Sequence, residues 1–463
     1  MERIFFDIVV IGAGPGGIAA AIKASQMGKT VALIEKGNLG GTCLNEGCIP
    51  TKTLITNALM LDRIRHSSDF GIEVGSISFD YAKMKARKDS VLEKMKEDLK
   101  NLIQSQGIVI FQGKASFTSS KEIKIVGSDN IFISFTSAII ATGSESLDIK
   151  EFPCDHKKVF NSFSILEISK LPKKIAIIGG GYIGCEFASL FAELGVEVFL
   201  IEACPSILPH QGSDISSVMT QIFSKKGINI ITEASTEKIA TEGAGITVHI
   251  KGKPSIEADS ALIAIGRKVI SADLELEKAG VSVDSKGAIH VTDRMITKVP
   301  GIYAVGDVTG KVMLAHVASF QGTVAASNAC GKEAHMSYKA VPSIIFTHPE
   351  IASVGLNAEQ AEKEGLSYTI GKFPFQALAR SIVTTETEGF AQILIENKTG
   401  RLLGAQVIGL EASSLISEIA ILIQNGLTID SISNTIHAHP TLSEVWFKAA
   451  LVSLEASLKS ALP

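Results

Sequence analysis

The chain has no uninterrupted apolar run of about 18 residues, the length a membrane-spanning helix needs. No helical span is therefore expected. It has no basic excess either: 44 Lys and Arg stand against 48 Asp and Glu, a formal net charge of −4. A protein whose main partner is nucleic acid normally presents a basic face, so that class is disfavoured. Cysteine is scarce, with six residues in 463. Cys154, Cys185, Cys204 and Cys330 are scattered, and each is expected to be a small buried hydrophobe. A reducing compartment disfavours structural disulfides. The expected location is the cytoplasm, or an organelle matrix if a transit segment has been removed. A secretory signal is not expected. The apolar start Ile4–Ile11 contains Asp7 and runs straight into a glycine-rich turn, which reads as a first strand.

What is present is more informative. A length of 463 residues with 46% hydrophobic content allows two to four domains. Gly12, Gly14 and Gly17 form G-x-G-x-x-G after the apolar run Ile8–Ile11. Gly179, Gly181 and Gly184 repeat it after Ile175–Ile178, at a constant offset of 167 residues. The same offset relates Gly28 to Gly195, each closing the following helix, and Glu35 to Glu202, each ending the next strand. Two complete strand–turn–helix–strand–acid units in one register point to two dinucleotide sites. The first glycine permits a tight turn, the second lets the backbone approach a pyrophosphate, and the third lets helix and strand pack closely. The pyrophosphate meets free N–H groups at the helix N-terminus. An acid at the end of the second strand accepts from a ribose diol and repels a 2′-phosphate. Glu202 therefore predicts NAD rather than NADP at the second site.

Only Cys43 and Cys48 stand close together, with four residues between them. A slightly distorted helical turn would bring their Cα atoms within the about 4.4–6.8 Å that a disulfide spans. Pro50 suits a helix start. A thiol near a helix N-terminus and near Lys52 has its thiolate favoured. Half of a metal site and a pair of inert core thiols are the competing readings. No second Cys or His cluster at ligand spacing follows, so no metal is expected.

The stretch Gly40-Gly41-Thr42-Cys43-Leu44-Asn45-Glu46-Gly47-Cys48-Ile49-Pro50-Thr51-Lys52 resembles the active-site signature of the pyridine nucleotide–disulfide oxidoreductases. That family includes glutathione reductase and mercuric reductase, and the resemblance covers essentially the whole chain. It implies FAD at the first unit and NAD at the second. It implies that Cys43 exchanges with substrate while Cys48 lies against the flavin, and that Lys52 pairs with Glu186 nearby. Thr142 and Gly143 resemble the family's strand end beside FAD. Ile302-Tyr303-Ala304-Val305-Gly306-Asp307 resembles its second FAD signature, with Asp307 on the ribityl chain. Gly266 is assigned to the NAD side, although Gly266-Arg267-Lys268-Val269 lacks the proline common after Gly-Arg. His316 is read as packing near the cofactor.

Near the C-terminus stands His437-Ala438-His439-Pro440-Thr441-Leu442-Ser443-Glu444. Locally, His-x-His is half of a metal site and Thr441-x-x-Glu444 a capping box. The run also resembles the family's catalytic-base signature. That makes His439 the base and Glu444 the group that orients its ring, facing the disulfide of the other subunit in a homodimer.

The expected architecture is α/β. It comprises a discontinuous Rossmann-like FAD domain (1–148 and 271–340), an NAD domain (149–270) and a C-terminal α+β dimerisation domain (341–463). Residues 81–106 are expected to form a charged helix with Val91, Met95, Leu99 and Leu102 on its packed face. The histidine signature and Glu202 favour family members that oxidise protein-bound dihydrolipoyl dithiols with NAD⁺. Their partners are the lipoyl domains of 2-oxo acid dehydrogenase or glycine cleavage complexes. The alternative is an NAD(P)H-dependent reductase of a small disulfide such as glutathione disulfide. Tyr182 sits where glutathione reductases often carry a lid tyrosine. Mercuric reductases typically carry C-terminal cysteines, and Ala450–Pro463 has none.

Overall fold

A computed structural model describes residues 3–127, 131–243 and 245–461. Leu462 and Pro463, at the tip of the cysteine-free end, lie outside the described residues. The first sheet has six strands. Arg3–Ile11 lies at its centre, parallel to Val31–Glu35 on one side and to Ile131–Ile140 on the other. Strands buried on both faces read as continuous apolar runs, and Ile8, Val9, Val10 and Ile11 are all buried. The strand Ile302–Ala304 adds in parallel beside Ile131–Ile140. The chain therefore leaves this sheet after residue 140 and returns to it near residue 302. The helix that follows the return, Ala315–Ala329, packs on the first helix, Pro15–Gln26.

The excursion builds a second parallel sheet of five strands around Lys174–Ile178. A three-stranded antiparallel sheet, Thr236–Glu242, Gly245–Ile250 and Ile256–Ala258, covers one side of it. A two-stranded ribbon joins the two bodies: Ser144–Ser146 pairs antiparallel with Arg267–Val269. Beyond residue 341 the sheet is antiparallel, with five strands. The helices Ala412–Gln424 and Glu444–Ala461 cover it and bury Ile416, Ile419 and Trp446.

The charged helix forms, over Tyr81–Ser105, but its packed face differs from the expected one. Met95 and Leu102 are exposed, at 39% and 47%. The buried positions are Tyr81, Lys88, Leu92 and Ile103. A lysine holds the centre of this face because its ammonium is satisfied there. Lys88 Nζ donates to Leu166 O at 3.1 Å and pairs with Glu167 at 2.6 Å and Asp89 at 2.9 Å.

Candidate active site

Each glycine turn is built as its spacing demands. Gly12 and Gly179 have φ of +104° and +107°, a region open to glycine. A Cβ at Gly17 would collide with Gly12 O, and one at Gly184 with Gly179 O. The middle glycines differ. Gly14 and Gly181 have φ of −76° and −79°, and a Cβ on either would meet nothing within 4 Å. No protein atom demands glycine there, whereas a pyrophosphate docked on the helix N-terminus does.

The repeat extends into hydrogen bonds that the sequence pattern did not reveal. Glu35 accepts from Ala13 N at 2.7 Å and from Gly37 N at 2.7 Å. Glu202 accepts from Gly180 N at 2.6 Å and from Cys204 N at 2.7 Å. Ala13 and Gly180, like Gly37 and Cys204, are again 167 residues apart. Each carboxylate braces its own turn and keeps acceptor capacity for a ribose diol. Cys204 therefore occupies a surface turn. It is exposed, contrary to the expectation of a buried hydrophobe. Cys154 and Cys330 are half-buried, and Cys185 alone of the four is fully buried.

The cysteine pair straddles a break between two helices rather than one distorted turn. Cys43 lies in the short helix Gly41–Asn45, and Cys48 is the first residue of the helix Cys48–Arg65. Both are free thiols, so this is the dithiol form. The hydrogen bond between the two sulfurs is the largest influence on both. It lowers Cys48 to about 6, with Lys52 also pulling downward and burial and Glu186 opposing. The same bond, together with burial, raises Cys43. The helix N-terminus and the Lys52 ammonium both favour the thiolate at Cys48. Lys52 Nζ lies 2.7 Å from Glu186 Oε2 and 4.7 Å from the centre of the Phe346 ring.

A cleft of about 1710 Å³ takes in both glycine turns, Glu35 and Glu202, Cys43 and Cys48, and Lys52 and Glu186. Thr142, Gly143, Gly266 and Asp307 also line it. Buried polar atoms normally have partners. Asn45 Oδ1, Thr236 Oγ1 and Ser343 Oγ are buried without a hydrogen-bond partner, and all three residues line this cleft. The donor set, the open glycine edges and these polar atoms fit two dinucleotides. Thr142 Oγ1 donates to Ile270 O at 2.5 Å. Beside it runs a chain of side chains from three segments distant in sequence. Arg267 Nε donates to Ser144 Oγ at 2.7 Å, and Ser144 Oγ donates to Asp307 Oδ2 at 2.5 Å. The Gly-Arg motif was visible, but nothing in it named Ser144 as the link. Tyr182 lines the cleft, its phenol accepting from Gln211 Nε2 at 3.0 Å. His316 Nε2 is 2.8 Å from Pro342 O.

His439 does not line this cleft. Its side chain is 68% exposed, and Nδ1 is 2.9 Å from Glu444 Oε1. Glu444 Oε2 accepts from Thr441 N at 2.9 Å. Thr441 Oγ1 donates to Ala438 O instead of completing the capping box. One carboxylate thus orients the ring and caps the helix. His437 turns inward, lies tilted against the Phe447 ring and meets Glu418 at 3.2 Å, while the His439 ring points outward, so the two rings are not aimed at one point. Among the described residues, Asp62, Glu193 and His348 are grouped closely enough to hold a metal. The Lys226 ammonium already stands there, 2.5 Å from Glu193 and 3.1 Å from His348 Nδ1.

No helix among the described residues is long and apolar enough to cross a membrane. Residues 6–322 match the family described as pyridine nucleotide-disulphide oxidoreductase, and residues 341–450 match its dimerisation domain. A protein of Chlamydia trachomatis named dihydrolipoyl dehydrogenase is 46% identical, with 98% of each chain covered. A Bacillus subtilis protein of the same name is 38% identical over 97% of this chain and 96% of that one. Among solved structures, LpdA from Mycobacterium tuberculosis superposes with a TM-score of 0.91 at 26% identity, covering 97% of this chain and 99% of that one. The HOCl-induced flavoprotein disulfide reductase RclA from Escherichia coli gives 0.86 at 30% identity, covering 95% and 98%. The matched family lengths, the doubled dinucleotide turns and the cysteine pair agree, and the chain belongs to the pyridine nucleotide-disulphide oxidoreductase family.

Proposed function

We propose that this chain carries out the dihydrolipoyl dehydrogenase reaction. A protein-bound dihydrolipoyl dithiol is oxidised to its cyclic disulfide, and NAD⁺ is reduced to NADH with release of one proton. The observation that carries the reading is the single cleft that brings the Cys43–Cys48 pair and the Lys52–Glu186 pair between two dinucleotide turns. Full-length relatives bearing that enzyme name support the substrate.

The residues divide the work. In the oxidised enzyme Cys43 and Cys48 form a disulfide. His439 of the partner subunit, oriented by Glu444, removes a proton from the substrate dithiol. The substrate thiolate attacks Cys43 Sγ, and the bond to Cys48 breaks, leaving Cys48 as a thiolate. The second substrate thiol passes its proton to the departing Cys43 sulfur, displaces it and closes the substrate disulfide. FAD bound in the cleft supplies the two-electron relay from Cys48 to NAD⁺. Gly12, Gly14, Gly17, Glu35, Lys52, Thr142, Gly143 and Asp307 would hold FAD. Gly179, Gly181, Gly184, Glu202 and Gly266 would hold NAD. We assign residues 1–148 and 271–340 to the FAD domain, 149–270 to the NAD domain and 341–463 to the subunit interface. Lipoyl domains of 2-oxo acid dehydrogenase or glycine cleavage complexes present the dithiol, in the cytoplasm or an organelle matrix.

The test is turnover of purified holoenzyme with dihydrolipoamide and NAD⁺, beside glutathione disulfide and NADPH. Activity is expected in the first assay. Activity confined to the second would overturn the substrate, and full dithiol activity in Cys43→Ser would overturn the mechanism.

A further inference from the structure

The helix Tyr182–Glu193 begins at the second glycine turn and carries Glu186 one turn in. Glu186, Ser189 and Glu193 are spaced i, i+3, i+7, which places them on one helix face. All three are buried. The same short segment of the C-terminal region, Phe346 to His348, meets all three. Phe346 N donates to Glu186 Oε1 at 2.9 Å. His348 N donates to Ser189 Oγ at 3.0 Å. The His348 ring reaches Glu193 Oε1 at 3.2 Å. The first contact leaves Glu186 Oε2 for Lys52.

The far end is tied as firmly. Lys226 Nζ pairs with Glu193 at 2.5 Å, and Arg65 Nη1 donates to Glu193 O at 2.6 Å. Asp62 and Glu386 flank the His348 ring at 3.9 Å and 3.5 Å. Asp62 and Arg65 belong to the same helix as Cys48 and Lys52. The cysteine helix and the helix from the nicotinamide side are thus pinned at both ends. Lys52–Glu186 forms one pin, and the Glu193–His348 cluster forms the other.

We propose that His348, with Ser189 and Glu193, is a positioning residue. The clasp of segment 346–348 on the helix Tyr182–Glu193 fixes Glu186, and through it the Lys52 ammonium, for the nicotinamide half of the reaction. This rests on the reading that Lys52 and Glu186 face the flavin. Burial and the Lys226 ammonium beside Nδ1 both favour the neutral ring, but the hydrogen bonds of His348 to Glu193 and Glu386 outweigh them and hold it protonated up to about 9. Glu193, pushed up by burial, is held at about 2 by His348 and Lys226. The clasp is therefore charged at both partners near neutrality.

The experiment is a double-mutant cycle between His348→Ala and Glu186→Gln in the holoenzyme, with each half-reaction followed separately. His348→Ala is expected to slow NADH-driven reduction about tenfold, the scale of a small misplacement of a catalytic group. Dithiol-driven reduction is expected to change less than about twofold, since Cys43 and His439 are untouched. In the Glu186→Gln background the His348 effect is expected to vanish. Ser189→Ala, a mild helical substitution, is expected to give a smaller effect in the same direction. A second readout is independent of turnover. Glu186 raises the Cys48 pKa, so releasing Glu186 should lower the pH midpoint for Cys48 alkylation in the reduced protein. That shift too should disappear when Glu186 is already Gln. Additive effects, or equal slowing of both half-reactions, would overturn the clasp. If Glu186→Gln itself leaves both half-reactions unchanged, the reading of the Lys52–Glu186 pair falls instead.

Discussion

Cys43 and Cys48 are the same side chain five positions apart, yet their environments give them opposite proton affinities. Cys48 starts a helix, where the N–H groups and the dipole favour an anion. It also receives the hydrogen bond from Cys43 and the field of Lys52. In the dithiol-reduced protein, alkylation of Cys48 is expected to rise through a midpoint near about 6, with the thiolate present above it. Lys52→Met removes a lowering influence and should move the midpoint up by about one unit. Glu186→Gln removes a raising influence and should move it down. Peptide mapping after pulsed alkylation at a series of pH values measures both, and an unmoved midpoint in Lys52→Met would refute this account. At this scale the sequence was a good guide wherever residues are neighbours in a motif. The Cys43–Cys48 stretch and the His439–Glu444 contact are both local. Arg267, Ser144 and Asp307 were out of reach as a network because they come from three separate segments. Cys204 was misjudged because thiols are usually buried, whereas its position in the repeat matches the turn glycine Gly37.

The glycine turns are the elements where local sequence decides most. Gly14 and Gly181 take ordinary negative φ values and have open space where a side chain would go. Valine should therefore be tolerated by the fold at either position and felt only by the ligand. Gly14→Val is expected to yield folded protein that loses flavin, measured by the absorbance retained after gel filtration. Gly181→Val is expected to keep flavin and raise the KM for NADH by about tenfold or more, the scale of about 1.4 kcal/mol. Equal flavin loss in both variants would contradict the assignment of the two units. The charged helix Tyr81–Ser105 shows the opposite case. Its length was legible, and the structure adds its cap, Asp80, which accepts from Ala82 N at 2.9 Å. Its packed face was not legible, because apolar periodicity skips over Lys88. A lysine is admitted to a buried face only when carbonyl and carboxylate partners await it there. Those partners, Leu166 and Glu167, lie on another element.

At the scale of the whole molecule, His439 and the cysteine pair do not share a cleft within one chain. The match to the family's dimerisation domain supplies the second chain. Two inactive variants, Cys43→Ser and His439→Gln, should therefore complement each other when their subunits are exchanged. In a two-fold dimer with random mixing, about a quarter of the sites regain both groups. No recovery after confirmed subunit exchange would place the base within the same chain. The His348–Glu193 cluster joins three parts of the fold and should leave a mark on stability. The Glu193 pKa is depressed, so its contribution is present above the ordinary 4.5 and lost as pH falls toward about 2. The His348 pKa is raised, so its contribution is complete below the ordinary 6.5 and lost as pH rises through about 9. The Tm difference between the parent and His348→Ala should be largest between these ordinary values and shrink toward pH 9. A difference that stays constant over that rise would exclude the charged clasp.

The sequence by itself determined the doubled dinucleotide unit, the cysteine pair and the histidine–glutamate couple. Each is carried by residues within one turn, one loop or one strand–helix step, where spacing dictates geometry. Tertiary structure alone decided which distant groups meet. The family resemblance implied Lys52 on Glu186, but packing set Glu186 on the Phe346 backbone and a protonated His348 between Glu193 and Glu386. The physical reason is that a buried charge tolerates its position only when opposite charges or hydrogen bonds arrive from other elements, and that arrival is a property of packing.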